Sequence, residues 1–393
     1  MSTIGAPAEM VVVTKNYPSS AGPNVGTFVQ ALAEQFSSAG VDVTVIAPQR
    51  IPPWTSNDVD GSASEDPDSR RLTVMRPRFW SFSNKVVAGR FSTFRWTSAS
   101  FSRSVDRAAR RIGHRPSLVY AHFLFPAGGA SLRLSRRWGV PAAVALGEGS
   151  LPYYETHLDI RRIRQTIHRF AGIICVSQEN KAYCVERMNV PAERVTVLPN
   201  SADTTRFYPR DRDSMRAKHG LPAERPIVAF VGHFNENKGP RRVLEAIRAL
   251  PEVGAVFLGD GPQTPQGDQV LFAGRVPHRD IPEWLSAADL FVLPTVAEAS
   301  PNAIAEALAC GLPVVSSNIP SVTAMAGDGA ATLVDPMDEQ GLHNAIKGLL
   351  GSAQRRRDMS RKALERARSY TLQDRAERML RWLGGIARQD AEG

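Results

Sequence analysis

The stretch that decides the fold runs from Glu298 to Val315 and reads Glu-Ala-Ser-Pro-Asn-Ala-Ile-Ala-Glu-Ala-Leu-Ala-Cys-Gly-Leu-Pro-Val-Val. An apolar run at 289–293 ends just before it, and helical spacing begins near Asn302. A second apolar run, 313–316, follows at its end. The succession of strand, helix and strand predicts one unit of a parallel α/β sheet.

The same alternation continues outward in both directions. Short apolar runs rich in β-branched residues recur between segments of helical spacing, as expected for strands buried on both faces of a parallel sheet. They lie at 10–14, 41–47, 118–121, 142–146, 173–176, 195–198, 227–231, 255–258, 270–272, 290–293 and 313–316. The sequence therefore predicts an α/β protein with doubly wound sheets.

A polar stretch with three prolines, 207–226, separates the two series of runs. A chain of 393 residues is too long for one ordinary core, so two domains are expected. We predict two Rossmann-like domains, 1–208 and 222–370, that face each other across a cleft. A helix over about 371–393 is expected to pack back on the first domain.

The charge of the chain narrows the range of partners. The net charge is +9 and the pI is near 9.8, which points to an anionic partner. Three cysteines without metal-ligand spacing fit free thiols in a reducing compartment. Neither a secretory signal nor a spanning segment is apparent, so a cytoplasmic location is expected.

The chemistry of the 298–315 stretch suits a nucleotide diphosphate sugar. The first turn of a helix starting near Asn302 offers free N–H groups and a dipole to a phosphate. Carboxylates repel phosphate, so their partners are hydroxyl groups. Glu306, about one turn into the helix, suits a ribose diol, and Glu298, on the preceding loop, suits a hexose hydroxyl.

Two glutamates with seven residues between them, followed by Gly-Leu-Pro-Val-Val, resemble the signature of the family-four retaining glycosyltransferases. The resemblance implies the GT-B fold and transfer with retention, through front-side attack on an oxocarbenium-like state. It also implies a donor site that includes four of the seven residues between the glutamates. These are Ser300, Pro301, Asn302 and Ala303.

Further segments resemble the family in the same order. In 231–239, Lys238 matches the lysine that meets the diphosphate beside Gly232, but His233 stands where arginine is usual. Protonation of His233, or a second cation such as Arg275, is expected to supply the positive charge that arginine would bring to the diphosphate. The segment that contains Gly259 resembles the family's glycine loop, and the segment that contains Arg275 and Val276 resembles the loop that meets the nucleobase. A further segment resembles the one that leaves the first domain, with Ser201 in place of a glycine.

The N-terminal half carries the predicted acceptor and phosphate residues. Gly26 and Thr27 resemble the family's glycine turn, and His122 ends a strand as the family's histidine segment does. A structural role for His122 is equally consistent with the sequence. Glu148 stands where many relatives have a histidine, so it either replaces that acceptor contact, belongs to a remodelled loop, or caps the next helix.

Residues 70–115 account for the charge of the chain. They contain twelve Lys or Arg and one acid, Asp106, a net +11 against +9 for the whole chain. Seven aromatic residues are interleaved with them. This pattern is typical of a segment that docks on an anionic membrane, but it also fits a helix with buried aromatics and solvated arginines.

We therefore predict a metal-independent glycosyltransferase with Glu298, Lys238 and Glu148 as catalytic residues and no cofactor. The expected donor is a UDP- or GDP-hexose. The acceptor is a glycan, a lipid-linked molecule or a small molecule, with synthesis of a polysaccharide or cell-envelope glycan on the inner face of the membrane as the first choice. Glycosylation of a soluble natural product and a nucleotide-sugar epimerase are the alternatives. No nucleic-acid recognition module is visible.

Overall fold

The chain divides into two compact units in a computed structural model. The structure describes residues 6–20, 22, 24–51, 64–65, 71–82, 86–87, 91–147, 155 and 158–392. The first unit comprises residues 1–198 and 375–393, and the second comprises residues 199–374. Each unit is built around its own predominantly parallel sheet.

The first unit contains a mixed sheet of eight strands and two small strand pairs. Its strands are β1 (Glu9–Thr14), β2 (Asp42–Ile46), β3 (Gln49–Ile51), β4 (Ser64–Glu65), β5 (Leu72–Met75), β6 (Arg78–Trp80), β7 (Val86–Val87), β8 (Phe91–Ser92), β9 (Leu118–His122), β10 (Ala142–Leu146), β11 (Gly172–Cys175) and β12 (Val195–Val197). The large sheet has the order β12-β11-β10-β9-β1-β2-β5-β4, and only the β4–β5 pair is antiparallel. The small pairs are β3–β6 and β7–β8.

Helices connect these strands. They are α1 (Thr27–Ser38), α2 (Phe94–Ala109), α3 (Gly129–Trp138), α4 (Ile160–Ile167) and α5 (Gln178–Ala182). The start of α4 is capped by the Asp159 side chain, which accepts a hydrogen bond of 2.7 Å from the Arg161 N–H. Such a cap satisfies an N–H that has no partner inside the helix.

The second unit contains a fully parallel sheet with the order β15-β14-β13-β16-β17-β18. Its strands are β13 (Ile227–Val231), β14 (Gly254–Leu258), β15 (Val270–Gly274), β16 (Leu290–Leu293), β17 (Val314–Ser317) and β18 (Ala331–Val334). Its helices are α6 (Arg212–Lys218), α7 (Pro240–Ile247), α8 (Ile281–Ala287), α9 (Asn302–Ala309), α10 (Pro320–Ala330), α11 (Glu339–Leu350) and α12 (Ala353–Ala367). The long helix α13 (Leu372–Glu392) returns the chain to the first unit, where Leu380 and Leu383 are fully buried.

Seven strands lie outside the runs identified in the sequence, namely β3 to β8 and β18, and five of these are only two or three residues long. The two longer ones, β5 and β18, were missed because their burial is incomplete. In β5, buried and half-buried residues alternate, and every residue of β18 is only half-buried. Neither strand therefore carries the continuous apolar run that marks a strand buried on both faces.

The division between the units lies at residue 198, ten residues before the predicted end of the first domain. Residues 199–208 belong to the second unit because the backbone of Ala202 bonds to that of Tyr370 and Leu372, at 3.1 and 2.9 Å. The Phe207 side chain is also buried in the second unit's core. The polar, proline-containing stretch 207–226 therefore lies within the second unit and includes α6.

Each sheet contains one point where the chain reverses its direction of winding. In the second unit the chain builds β14 and β15 on one side of β13, then returns to add β16 on the other side. In the first unit the reversal lies between β1 and β9. Ligands of doubly wound proteins bind outside the carboxyl ends of the strands at such points.

Candidate active site

Two loops meet at the reversal point of the second unit, 232–239 after β13 and 294–301 after β16. Asn237 joins them with three hydrogen bonds. Its side-chain amide donates to the Ala297 carbonyl at 3.0 Å, while its side-chain and backbone oxygens accept from the Ala297 and Val296 N–H groups at 2.9 and 2.8 Å. The two loops therefore form one structural element.

Lys238 and Glu298, predicted at the diphosphate and the sugar, form an ion pair across these loops. The Lys238 side chain is 25% exposed and that of Glu298 is 11% exposed, so the pair is largely shielded from water. The Thr295 hydroxyl lies 3.3 Å from the same Glu298 carboxylate oxygen. The positions predicted for phosphate and for a sugar hydroxyl are thus adjacent.

A buried guanidinium fixes the shape of the lysine loop. Arg242, at the start of α7, donates to the backbone carbonyls of Pro294 and Glu236 at 2.7 and 2.8 Å and pairs with the Glu236 carboxylate at 2.9 Å. Gly239 caps α7 in the left-handed region with φ of 72°, and a Cβ at this position would collide with the Arg242 guanidinium. A glycine is required there because other residues avoid this backbone conformation.

Helix α9 begins directly after the second loop, and no side chain caps its first turn. Ser300 and Pro301 precede it, followed by Asn302 and Ala303 in the first turn. Ser300 is held by Asn200, whose backbone N–H bonds to the Ser300 hydroxyl at 2.8 Å. The N-terminal amides of α9 therefore stand next to the Lys238–Glu298 pair in sequence and in the fold.

Glu306 lies inside α9, is 8% exposed, and its carboxylate accepts a 2.9 Å hydrogen bond from the Nε2–H of His278. The His278 ring also contacts the ring of Phe207, with centroids 5.4 Å apart. Burial by itself lowers the pKa of His278, but the hydrogen bond and the charge of Glu306 outweigh it, so the pKa is raised. His278 thus holds the carboxylate assigned to ribose in a defined position.

His233 and Arg275, the two cations predicted to assist at the diphosphate, converge on one carboxylate. Arg275 forms a hydrogen bond with Asp260, and Nδ1 of His233 lies 3.7 Å from an oxygen of the same group. The hydrogen bond from Arg275 holds the pKa of Asp260 below its usual value. Gly232, Gly259 and Val276 lie in the loops that surround this cluster, at the ends of β13, β14 and β15.

The first unit places Gly26, Thr27 and His122 at its own reversal point. Gly26 has φ of 73° and precedes α1, which starts at Thr27. A Cβ on Gly26 would overlap the backbone of Asn16, so the turn needs glycine. His122 ends β9 opposite Thr14 of β1. Glu148, the third predicted catalytic residue, lies outside the described residues.

His122 is a buried, uncharged histidine. Burial and the nearby Arg375 lower its pKa to about 3. Nδ1 shares a 3.0 Å hydrogen bond with the Tyr120 hydroxyl. The next residue, Phe123, has φ of 75° and its ring lies 4.8 Å from that of His122. Positive φ at a non-glycine residue costs on the order of 1–3 kcal/mol and concentrates at functional sites.

Sequence reasoning missed several residues that shape these sites. Asn237, Arg242, Asp260, His278 and Arg375 became visible only through their contacts. His278 follows Val276, in the segment that resembles the nucleobase loop, by two residues, so extending the interpretation of that segment would have drawn attention to it. Within the described part of the chain, no three His, Cys, Asp or Glu side chains cluster as metal ligands.

Each unit of the chain matches the model of a known protein family. Residues 211–366 match the family model "Glycosyl transferases group 1", and residues 25–201 match "Glycosyl transferase 4-like domain". Together the two matches span most of both units. The chain belongs to the group 1 glycosyltransferases.

This glycosyltransferase is 28% identical over 352 residues to the putative teichuronic acid biosynthesis glycosyltransferase TuaC of Bacillus subtilis, with 85% of this chain and 87% of the relative covered. Its fold is that of sucrose-phosphate synthase from Thermosynechococcus elongatus, with a TM-score of 0.76, 20% identity, and 97% and 98% of the two chains covered. Anabaena HepE, solved with UDP and glucose, has a TM-score of 0.67 at 19% identity, with 98% of each chain covered. The fold of the glycosyltransferase is GT-B, as predicted.

Proposed function

We propose that this glycosyltransferase transfers a hexose from a UDP- or GDP-sugar with retention of the anomeric configuration and without a metal. The observation that carries the proposal is the meeting of a cation, a carboxylate and a helix N-terminus at one reversal point. Lys238, Glu298 and the start of α9 supply these three features. Each matches one part of a nucleotide diphosphate sugar.

The donor is assigned to these groups part by part. The diphosphate accepts hydrogen bonds from the Lys238 ammonium and the first-turn amides of α9. Glu298 accepts a hydrogen bond from a sugar hydroxyl, and Glu306, held by His278, accepts from the ribose diol. In the absence of donor, Lys238 and Glu298 satisfy each other, so donor binding replaces one buried ion pair by two charge-assisted contacts.

The reaction breaks the bond between the anomeric carbon and the diphosphate oxygen. An acceptor hydroxyl forms the new bond on the same face of the sugar, and its proton passes to the departing diphosphate. Negative charge grows on the diphosphate as the bond breaks. Lys238 and the α9 amides stabilise that charge because they are already oriented before the reaction begins.

The acceptor belongs to the first unit in this proposal, near Gly26, Thr27 and His122, with Glu148 as a further contact. His122 supplies a neutral hydrogen-bonding ring, since its pKa of about 3 leaves it uncharged. A cell-envelope glycan on a lipid carrier is the proposed acceptor, supported by the teichuronic acid title of the Bacillus subtilis relative.

The basic stretch 70–115 supports association with an anionic membrane only in part. Phe79 and Phe101 are buried against each other, with ring centroids 5.2 Å apart, as the alternative interpretation expected. Trp80 and Trp96 remain 39% and 53% exposed. None of the described helices has the length and apolar character needed to cross a membrane.

A donor screen tests the proposal. Purified protein is incubated with a panel of UDP- and GDP-hexoses, and release of UDP or GDP is measured with and without EDTA. We expect one donor to be consumed at equal rates in both conditions, and NMR of the product to show a retained anomeric configuration. Failure of UDP and GDP to raise the unfolding temperature, together with no release from any donor, would refute it.

A further inference from the structure

A groove on the first unit combines a dense positive charge with an apolar floor. It has a volume of about 500 Å³ and lies between α2, α3 and α4. Five arginines from these helices and the turn after α4 line it: Arg95, Arg103, Arg133, Arg162 and Arg169. We call it the arginine groove. None of its lining residues is an aspartate or glutamate.

Among the described residues, the charge of the arginine groove is compensated by a single carboxylate. Arg133 pairs with Asp106, its Nε lying 3.1 Å from a carboxylate oxygen. The other four guanidinium groups have no carboxylate within 4.0 Å in the described part of the chain. Like charges gathered in one concavity repel each other, so the groove is complementary to a polyanion. Guanidinium groups bind phosphate oxygens in pairs, which makes a phosphate compound the fitting partner.

The floor of the arginine groove is not suited to a simple anion. Phe94, Phe125, Leu132 and Leu158 line it, with the two phenylalanine rings 6.2 Å apart in an edge-to-face arrangement. The Ser98 hydroxyl, also in the lining, is buried and has no hydrogen-bond partner among the described residues. A ligand that satisfies the whole groove carries both a charged head and a hydrocarbon portion.

Two neighbouring features indicate how such a ligand would be oriented. Trp96, 53% exposed, lies seven residues before Arg103 and therefore on the same stripe of α2, where an indole suits the boundary of a lipid layer. Phe125 follows His122 by three residues, so their backbones lie at most about 11 Å apart. A head group in the groove is thus held close to the end of β9, where the acceptor residues lie.

We propose that the arginine groove binds the diphosphate and the adjoining hydrocarbon of a lipid-linked acceptor. This inference rests on the proposed function and names the acceptor class. A lipid diphosphate matches the four unpaired arginines better than a phospholipid with a single negative charge. Its sugar then extends toward the end of β9 while its chain lies over the apolar floor and passes Trp96.

Binding of farnesyl diphosphate, a soluble short-chain probe, tests the proposal by calorimetry or by Trp fluorescence. The test variant is the double substitution Arg162→Ala with Arg169→Ala, which removes two unpaired cations outside the 70–115 stretch. The matched control is Arg161→Ala with Arg137→Ala, which removes two exposed arginines of α4 and α3 that do not line the groove. Unfolding temperatures confirm that both variants are folded.

We expect the test variant to lose at least about tenfold in affinity, since each lost charged hydrogen bond accounts for about that factor, and the control to bind as the wild type does. Inorganic pyrophosphate and farnesol should each bind more weakly than farnesyl diphosphate. Equal affinities for pyrophosphate and farnesyl diphosphate would overturn the proposal in favour of a polyanion site. Equal losses in both double variants would overturn it in favour of general attraction by surface charge.

Two further arms separate the possible failures. If phosphatidylglycerol vesicles compete with farnesyl diphosphate as effectively as a second lipid diphosphate does, the groove is a site for membrane lipid and the proposal is overturned. UDP binding is measured on the wild-type protein in parallel. If the protein binds UDP but not farnesyl diphosphate, only the acceptor inference is refuted. If it binds farnesyl diphosphate but neither UDP nor GDP, only the donor assignment is refuted.

Discussion

Replacing Lys238 by alanine tests the donor assignment most directly. The lysine is 25% exposed and pairs with a Glu298 side chain that is 11% exposed. Two unit charges about 4 Å apart at an effective dielectric constant of about 20 interact by roughly 4 kcal/mol. Loss of one preorganised charge contact at a reacting group typically costs about 2–4 kcal/mol of barrier. We therefore expect kcat to fall by about 30- to 1,000-fold in Lys238→Ala.

The assay is steady-state release of UDP or GDP with the donor that the screen identifies. Glu298→Gln and the double variant complete a cycle, and we expect the two losses to be far from additive because the residues are in contact. Lys218→Ala is the matched control. Lys218 is 54% exposed and pairs with Glu283 at 2.7 Å outside the site, so kcat should not change and stability should fall by at most about 1 kcal/mol. Full activity in Lys238→Ala would place the phosphate site elsewhere.

Four other substitutions or conditions give separate outcomes. Glu306→Ala should chiefly raise the KM for the donor, because the ribose that Glu306 binds does not react. Glu298→Ala should chiefly lower kcat, because Glu298 is assigned to the reacting sugar. Unchanged steady-state kinetics in both variants would remove the donor site from α9. The pKa of His278 is raised in the folded protein, so the stability contributed by its protonated form is fully present below the ordinary pKa of 6.5 and is lost as the pH rises through the folded-state pKa. The unfolding temperature of the wild type should therefore decline above pH 6.5, and His278→Gln should abolish that part of the decline. An unaltered pH profile in the variant would contradict the pairing with Glu306. His233→Arg should preserve activity and tighten donor binding at high pH, and inactivation would show that the imidazole itself is needed. The whole protein should co-sediment with anionic liposomes through residues 70–115 and dissociate from them in high salt. Equal binding to neutral vesicles would show that charge is not the cause of the binding.

Local patterns were enough to predict most strands of the two large sheets and the helix that follows Glu298. Strands such as β10 and β13 are fully or almost fully buried, so their apolar runs are continuous and their bounds match the predicted ones. The start of α9 was predicted near Asn302 from helical spacing, and the helix begins at that residue. Lys238 and Glu298 were recognised separately, each within its own strand-to-helix turn.

The membrane-like appearance of 70–115 illustrates the opposite case. The sequence shows seven aromatics among twelve cations but not which of them face inward. Phe101 is buried on α2 and Trp96 is exposed, although both belong to the same helix. Which aromatic side chains are buried depends on which face of α2 packs against Phe79 and the sheet, and composition alone does not indicate that face.

The sequence by itself determined the α/β fold and the glycosyltransferase family, because both depend on spacing within local segments. Only the tertiary structure decided the contacts between segments distant in the chain. The Lys238–Glu298 pair spans 60 residues, the His278–Glu306 contact spans 28, and the arginine groove draws its lining from three helices. Such contacts arise from the order of the strands in a sheet, because that order brings together loops that are distant in the sequence. The sequence of one loop does not indicate which other loop it will contact.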